Sequence, residues 1–415
     1  RNIMTEPGTV YNENQVKQDL VRLYSTQAFK DVNRTIEVSE DDPDKFDVTI
    51  ELKEQRTASV SIGGGLDSAT GAFGSVAISD NNFRGMNQRV SLSGMVGSGI
   101  LMSDSSIKSH MNYQAELSFF EPHFLNADNS LMSKIYFRDL GSYQVPLAVE
   151  RRIGIESTVA HRLRYNRNLS STFTAGVEYI HLDEGDKNNI ANLYRLHNLN
   201  IADRAKELEG GFFLRLAPGL AYDSRDSAIN PRHGALASVR YEEAFGLDGF
   251  AKTNGRLTGM AKRFIPIAKK SSLTFTGRAG VKIHGSQMPE VMAYRLGGPY
   301  TIRGYKVNGV GTGTSFIMGS AELATPIPFV DRLKVNFLQN LRLTFWVDAG
   351  RVFDPTIASA LYDRPLQAIT AGFGLKINMP GIGPLSVDYG FPVTNPGPNG
   401  SPHGYFTFGV GDMMY

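Results

Sequence analysis

Residues 271–284 read SSLTFTGRAGVKIH, with Leu273, Phe275, Ala279, Val281 and Ile283 on one parity and Thr274, Thr276, Arg278 and Lys282 on the other. Side chains along a β-strand alternate between the faces of its sheet, so this run has one apolar face and one polar, charged face. Residues 341–350, LRLTFWVDAG, repeat the pattern: Leu341, Leu343, Phe345, Val347 and Ala349 oppose Arg342, Thr344, Trp346 and Asp348. The only Trp and Asp348 therefore share the polar face, and Leu385, Val387, Tyr389 and Phe391 form a third apolar row. Mid-strand Arg and Lys need water on their side. A cylinder with a wet lumen and a lipid-facing wall accommodates both faces at once.

Working outward from these runs, the stretch from Thr57 to Tyr415 breaks into short alternating segments punctuated by Gly, Asn, Asp and Pro. Sixteen strands are expected, near 57–66, 71–80, 87–98, 110–120, 129–139, 151–163, 169–181, 208–222, 235–245, 251–265, 271–284, 314–325, 341–349, 367–379, 384–391 and 404–412. The number is even, as in bacterial single-chain barrels. The fold class is thus all-β, an antiparallel transmembrane barrel over 57–415. With the N-terminal hairpin in the periplasm, the long polar connections 182–207 and 285–313 both fall on the exterior side, and short turns such as Tyr165–Asn168 fall on the periplasmic side. A soluble sandwich or propeller is the competing class. No repeat of about forty residues supports a propeller, and a sandwich would bury one continuous apolar core.

Composition narrows the function classes. Lys and Arg number 43 against 41 Asp and Glu, a net charge of +2, so nothing calls for nucleic acid. The absence of Cys removes disulfides, thiolate metal sites and thiol catalysis. Mean hydropathy is −0.22 and no run approaches 18 apolar residues, which excludes transmembrane helices but not transmembrane strands. The eight His show no metal-binding spacing, and no Ser-His-Asp set or phosphate-cradling loop stands out, so neither an enzyme nor a metal or cofactor site is expected. Arg1–Met4 lacks a charged-then-apolar leader, and a mature or trimmed chain is expected.

Residues 1–56 read differently. Asn12 can cap a helix on which Val16, Leu20, Leu23 and Tyr24 recur at helical spacing. Phe29–Ser39 and Phe46–Glu54 then read as a hairpin around Glu40–Asp44.

Four separated motifs resemble the superfamily that holds bacterial BamA, its relative TamA, the mitochondrial SAM channel and the plastid Toc channel. They are the loop Gly297-Gly298-Pro299-Tyr300-Thr301-Ile302-Arg303-Gly304-Tyr305; Trp346-Val347-Asp348-Ala349-Gly350 with Arg351-Val352-Phe353-Asp354; Asp223-Ser224-Arg225-Asp226 with Pro231 and Gly234; and Gly383-Pro384-Leu385 leading through Asp388-Tyr389 to Pro392. Residues 8–38, with Tyr11, Asp19, Leu20, Tyr24, Phe29 and Val32, are similar to the second half of a POTRA domain, so 1–56 is expected to be a partial, periplasmic α+β POTRA. The stretch Arg56–Ser61, with Asn82 and Gly85, is most similar to the cyanobacterial and plastid branch.

The residues suggest where the work is done. Gly297, Gly298 and Gly304 permit the positive-φ backbone of a loop folded into the lumen, with Ile302, Arg303 and Tyr305 at its tip. By alternation Asp348 and Glu322 point inward, where Arg303 could pin the loop by charge-assisted bonds. The bland reading is a hydrated loop arginine, whose exposed pairs are worth about 0–1 kcal/mol. Closure pairs the first strand with the last, and both are glycine-rich at Gly63, Gly64 and Gly65 and at Gly409, Val410 and Gly411. A weak seam would expose a strand edge that templates another strand; the competing reading is that glycine simply relieves strain where the barrel curves. Asp223, Arg225 and Asp226 read as a braced periplasmic turn.

The resemblance implies a non-enzymatic insertase of the outer membrane. Its substrates would be unfolded outer-membrane proteins, its surroundings outer-membrane lipids, and its further partners accessory lipoproteins or periplasmic chaperones. The alternative is a polypeptide-translocating channel of the two-partner secretion or plastid-import type, and a passive porin or adhesin is a third class.

Overall fold

The computed structural model describes all residues except 1–2, 4, 26–28, 41, 102–108, 143–147, 167, 185–209, 228–230, 249–251, 269, 286–287, 328–340, 357–358, 360–361, 380–382, 398–400 and 411–415. The connection 185–209, and with it most of one expected external loop, lies outside the described residues.

Helix α1 (Glu13–Ser25) opens where the Asn12 side chain accepts the Asn14 and Gln15 amides at 3.0 and 3.2 Å. That side chain satisfies amides left without intrahelical partners in the first turn. Val16, Asp19 and Leu23 are its buried positions, and Asp19 accepts both the Thr5 amide and hydroxyl. Strands β1 (Phe29–Val38) and β2 (Phe46–Glu54) form a separate antiparallel pair.

The remaining strands are β3 (Ala58–Asp67), β4 (Gly71–Phe83), β5 (Gln88–Gly97), β6 (Asn112–Glu121), β7 (Asn129–Gly141), β8 (Ala148–Arg162), β9 (Leu169–Glu184), β10 (Gly211–Asp223), β11 (Gly234–Gly246), β12 (Asn254–Ala268), β13 (Ser271–His284), β14 (Tyr294–Leu296), β15 (Gly311–Pro326), β16 (Leu341–Pro355), β17 (Gln367–Met379), β18 (Gly383–Pro392) and β19 (Tyr405–Val410). They close into one antiparallel barrel in chain order, with β19 next to β3. All sixteen strands read from the sequence are present. The seventeenth, β14, belongs to the β13–β15 connection, which had been read as loop throughout; it adds three residue pairs to the upper end of β15, beyond the reach of the β13 ladder. Several strands run past their expected ends, most clearly β16, which continues from Ala349 to Pro355 against β15. Residues 351–355 interrupt apolar alternation with charge, but the ladder there is set by the neighbour.

The two faces separate as the alternation requires. Phe345, Val347, Phe275, Val281, Ile283, Val387 and Phe391 are exposed on the outer wall, whereas Thr344, Trp346, Asp348 and Asp388 are buried inside. Exposed apolar side chains occur on every barrel strand from β3 to β13 and from β15 to β19, a lipid-facing belt rather than a buried core. The apolar packing that exists inside is local and involves the β13–β15 connection. Met288, Val291 and Met292 pack with Ala148, Ile180, Phe213 and Ala244, while Leu296, Ile302, Tyr305 and Val310 pack with Met318, Val352 and Ala368. The connection is therefore folded into the lumen and touches two stretches of the wall, β8–β11 and β15–β17.

Candidate functional site

Strand register builds the first half of the site. Glu322, Trp346, Gly372 and Gly390 lie in one row across β15, β16, β17 and β18, and Ser320, Asp348 and Thr370 lie in the next row but one. All point inward by parity. The two glycines leave room for the Trp346 indole to lie flat along the wall, with its Nε1 donating to Asp388 Oδ1 at 2.9 Å.

The loop tip enters over this floor. Gly297, Gly298 and Gly304 have φ of +115°, +98° and +79°, conformations that side chains other than glycine's rarely adopt. Gly304 also meets the Gly390 backbone so closely that a Cβ on either would overlap the other. Thr301 Oγ1 accepts the Gly297 amide at 2.8 Å and Gly298 N bonds to Ile302 O at 3.1 Å, which makes the tip a compact turn. Ile302 is fully buried and Tyr305 nearly so.

Arg303 is delivered by that turn onto the carboxylates. Its Nε and Nη2 donate to the two oxygens of Asp348, each at 2.9 Å, and its backbone amide donates to Asp348 Oδ2 at 3.1 Å. Nη1 donates to Glu322 Oε2 at 2.6 Å and lies 3.6 Å from Asp388 Oδ1. The guanidinium carbon sits 4.1 Å over the Trp346 ring centroid, a cation–π contact that a planar guanidinium can make while still presenting its fork of donors to the carboxylates. Ser320 Oγ donates to Asp348 at 2.6 Å, and Lys376 donates to Glu322 at 3.0 Å. Asp348 is wholly buried and Arg303 only 9% exposed, so these bonds form away from bulk water. The structure thus brings Arg303 together with both Asp348 and Glu322.

Sequence reading missed the second anchorage, on β8 and β12. Arg152 donates to the Val291 carbonyl at 2.9 Å and Arg256 to that of Met292 at 3.0 Å. Both arginines belong to a buried network: Arg256 and Arg215 converge on Glu242 at 2.6 and 2.8 Å, and Arg152 pairs with Glu150 and, at 3.6 Å, with Glu178. Tyr136 reaches over Gly154 to donate to Glu178 at 2.7 Å, because Gly154 stands between them in the register. Parity alone places these charges inside; which of them meet depends on register across five strands and on where the loop lands.

At the junction of β19 and β3, the Ser68 amide donates to Phe408 O at 2.9 Å, and the Phe408 amide donates back to Ser68 Oγ at 2.8 Å. Val410 N lies 3.3 Å from Asp67 Oδ2. Gly409 and Val410 are therefore beside Asp67 and Ser68. Gly63, Gly64 and Gly65 are paired instead with Ser75, Gly74 and Phe73 of β4, and among the described residues they make no ladder with β19. Gly411 lies outside the described residues.

At the other end of the barrel, Asp223, Arg225 and Asp226 form the β10–β11 turn. Arg225 binds Asp223 through Nε at 2.9 Å and Nη2 at 2.7 Å, while Asp226 Oδ1 accepts the Arg232 and His233 amides at 2.9 and 3.1 Å. These two amide bonds hold the Asp226 carboxyl below its ordinary range. No group of three or more potential metal ligands occurs among the described residues.

A model of the Omp85 superfamily domain matches residues 82–414. Among curated proteins, the chain is 24% identical over 99% of its length to outer envelope protein 80 of Arabidopsis thaliana chloroplasts. It is 23% identical over 80% of its length to the outer membrane protein assembly factor BamA of Neisseria meningitidis, and 24% identical over 94% to the SAM50-like protein of Drosophila melanogaster. It spans 53% of the first, 41% of the second and 84% of the third. Among solved structures, BamA from Haemophilus ducreyi lacking POTRA domains 1–3 superimposes with a TM-score of 0.71 at 19% identity, covering 99% of this chain and 80% of that one. CdiB from Escherichia coli superimposes at 0.64 with 15% identity, covering 99% and 72%.

Proposed function

The chain belongs to the Omp85 superfamily, and from that membership we propose that it folds and inserts client β-barrel proteins into an outer membrane. Relatives named as an outer membrane protein assembly factor and as sorting and assembly machinery components support the reading. The observation that carries it is the lumen loop, clasped by Arg303 against β15 and β16 and by Arg152 and Arg256 on β8 and β12. A lumen occupied by a loop held at several points of the wall is a poor conduit for a polypeptide. Client traffic then belongs at the barrel wall, and the junction of β3 and β19 is the point in the wall where the first and last barrel strands meet.

In this reading the junction parts, and the exposed edge of β3 templates an incoming strand by β-augmentation. Unpaired backbone groups in lipid are costly, which drives the edge to find a partner strand. The clients are unfolded outer-membrane proteins, handed on by accessory lipoproteins or periplasmic chaperones. Residues 1–56 act as the barrel-proximal part of a periplasmic POTRA region whose β1–β2 edge accepts extended polypeptide, and 57–415 as the membrane-embedded barrel. No chemistry is catalysed and no cofactor is consumed.

Cysteines at Ser68 and Phe408 test this, because the backbones of these residues are bonded to each other. Oxidation should stop insertion of client barrels into vesicles and reduction should restore it; full activity with the junction crosslinked would sink the insertase reading. A translocating channel predicts a different pattern. A stalled client would crosslink to lumen residues such as Trp346 rather than to Val60 or Ile62 on β3, and depletion would lower one secreted client rather than the whole set of barrels.

A further inference from the structure

Tyr300 lies three residues before Arg303, at the edge of the loop tip, and its ring reaches the junction of the first and last strands. Its hydroxyl oxygen accepts the Val410 amide at 2.9 Å. The hydroxyl's single proton faces two acceptors, Asp67 Oδ2 at 2.5 Å and Val410 O at 3.0 Å, and can serve one at a time. Asp67 terminates β3 and Val410 is the last described residue of β19, so one side-chain atom touches both strands. The loop tip lies against β19 here: a Cβ built at Gly409 would stand at ordinary van der Waals distance from Pro299 and the Tyr300 ring, 3.4 and 3.7 Å. Asp67 is fixed for its part, since its Oδ1 accepts the Ala69 and Thr70 amides at 2.8 and 2.9 Å, which leaves Oδ2 facing Tyr300.

We propose that Tyr300 is a positioning residue, a latch through which the lumen loop holds the junction of β3 and β19 together. The inference rests on the insertase reading for its purpose, but not for its geometry. Between-strand bonds normally close a barrel; here a side chain from a third element satisfies backbone groups of β19 and a carboxylate at the end of β3. The Tyr300 carbonyl is itself held by Arg278 Nη1 at 3.1 Å, and Arg303 fixes the same turn to Asp348. The ring therefore stays at the junction only while the loop stays on its floor. Withdrawal of the loop removes the latch, and the junction is left with its own bonds alone. Loop position and junction opening become one coupled equilibrium.

Hydrogen exchange on the full-length protein in lipid vesicles reads this directly, because amide protection reports local opening. Tyr300→Phe keeps the ring and removes the hydroxyl. Amides in 66–70 and 405–410 should then exchange roughly tenfold faster, the scale set by losing a hydrogen bond with a charged acceptor, while 316–324 and 343–349 stay unchanged. Arg303→Ala should accelerate the same junction amides, and adding Tyr300→Phe to it should change them little, since both act through one contact. Unchanged junction exchange in Tyr300→Phe, or independent additive effects in the double variant, would overturn the latch. Client insertion is measured in parallel. Faster junction exchange with unaltered insertion would leave the latch standing and count against the insertase reading, whereas unaltered exchange refutes the latch whatever happens to insertion.

Discussion

Replacing Arg303 by Ala removes the one cation that touches Asp348 among the described residues, and the consequence can be worked from the contacts. Asp348, Glu322 and Asp388 face this point, with Arg303 and Lys376 as the positive groups. After the substitution Asp348, wholly buried, keeps among the described residues the Ser320 hydroxyl at 2.6 Å and the residue-303 amide at 3.1 Å. Removing one partner of a buried ion pair costs roughly 3–5 kcal/mol, most of it the stranded charge. The barrel ladders do not depend on Arg303, so the cheaper response is for the loop tip to lift and admit water to the carboxylates. The free energy should therefore appear as local opening: amides of 297–305 should lose protection by about a hundredfold or more, at roughly tenfold per 1.4 kcal/mol. Arg303→Lys should fall between, because an ammonium can neutralise one carboxylate but neither grips Asp348 with two parallel bonds nor stacks on Trp346. The assay is hydrogen exchange in vesicles together with the heat-dependent gel shift of the barrel. An Arg303→Ala protein with native loop protection, native heat stability and native insertion of clients would refute both the clasp and its role.

Other contacts give sharp expectations. Gly390→Ala places a methyl against the Trp346 ring and 2.8 Å from the Gly304 Cα; overpacking of this kind costs about 1–3 kcal/mol, so the variant should melt earlier in thermal scans and expose the loop tip to protease. Glu242→Gln leaves Arg215 and Arg256 without their shared carboxylate, which should loosen the hold of Arg256 on the Met292 carbonyl and raise proteolysis near Met288–Met292; unaltered cleavage there would separate the network from the loop. The β10–β11 turn should be acid-sensitive. Because its two amide bonds depress the Asp226 carboxyl in the folded turn, their stabilisation is fully present above the ordinary Asp value near 3.9 and is lost as pH falls through the lower folded value. Exchange of the Arg232 and His233 amides across that window should show it, and Asp226→Asn should flatten the dependence.

The sequence by itself determined the class of fold and the face on which each charge lies. Period-two alternation in segments such as 271–284 is a direct consequence of strand geometry, and a charge opposite an apolar row can tolerate only a wet interior and an apolar exterior. That is why sixteen strands could be counted from turns and alternation, and why Asp348, Trp346 and Glu322 could be assigned inward without coordinates. It is also why the loop glycines were legible, since 297, 298 and 304 do sit at positive φ. Strand ends were less legible, because the neighbour's length decides how far a ladder continues, as β16 shows beyond Ala349.

Tertiary structure alone decided who meets whom. Parity says inside or outside and is blind to register, and one residue of slip would move every partner. Only the register puts Gly372 and Gly390 beside Trp346, so that the indole can lie flat and Arg303 can stack on it. Only the loop's path turns Arg152 and Arg256, which alternation reads as two more lumen charges, into donors for Val291 and Met292. The same holds at the junction. Glycine content drew attention to 63–65, but the described contacts to β19 come from Asp67, Ser68 and the Tyr300 hydroxyl, a residue 233 positions away from Asp67 in the chain. Contacts at that separation leave no periodic trace in a sequence, because they are fixed by the closure of the cylinder and not by the local geometry of any strand.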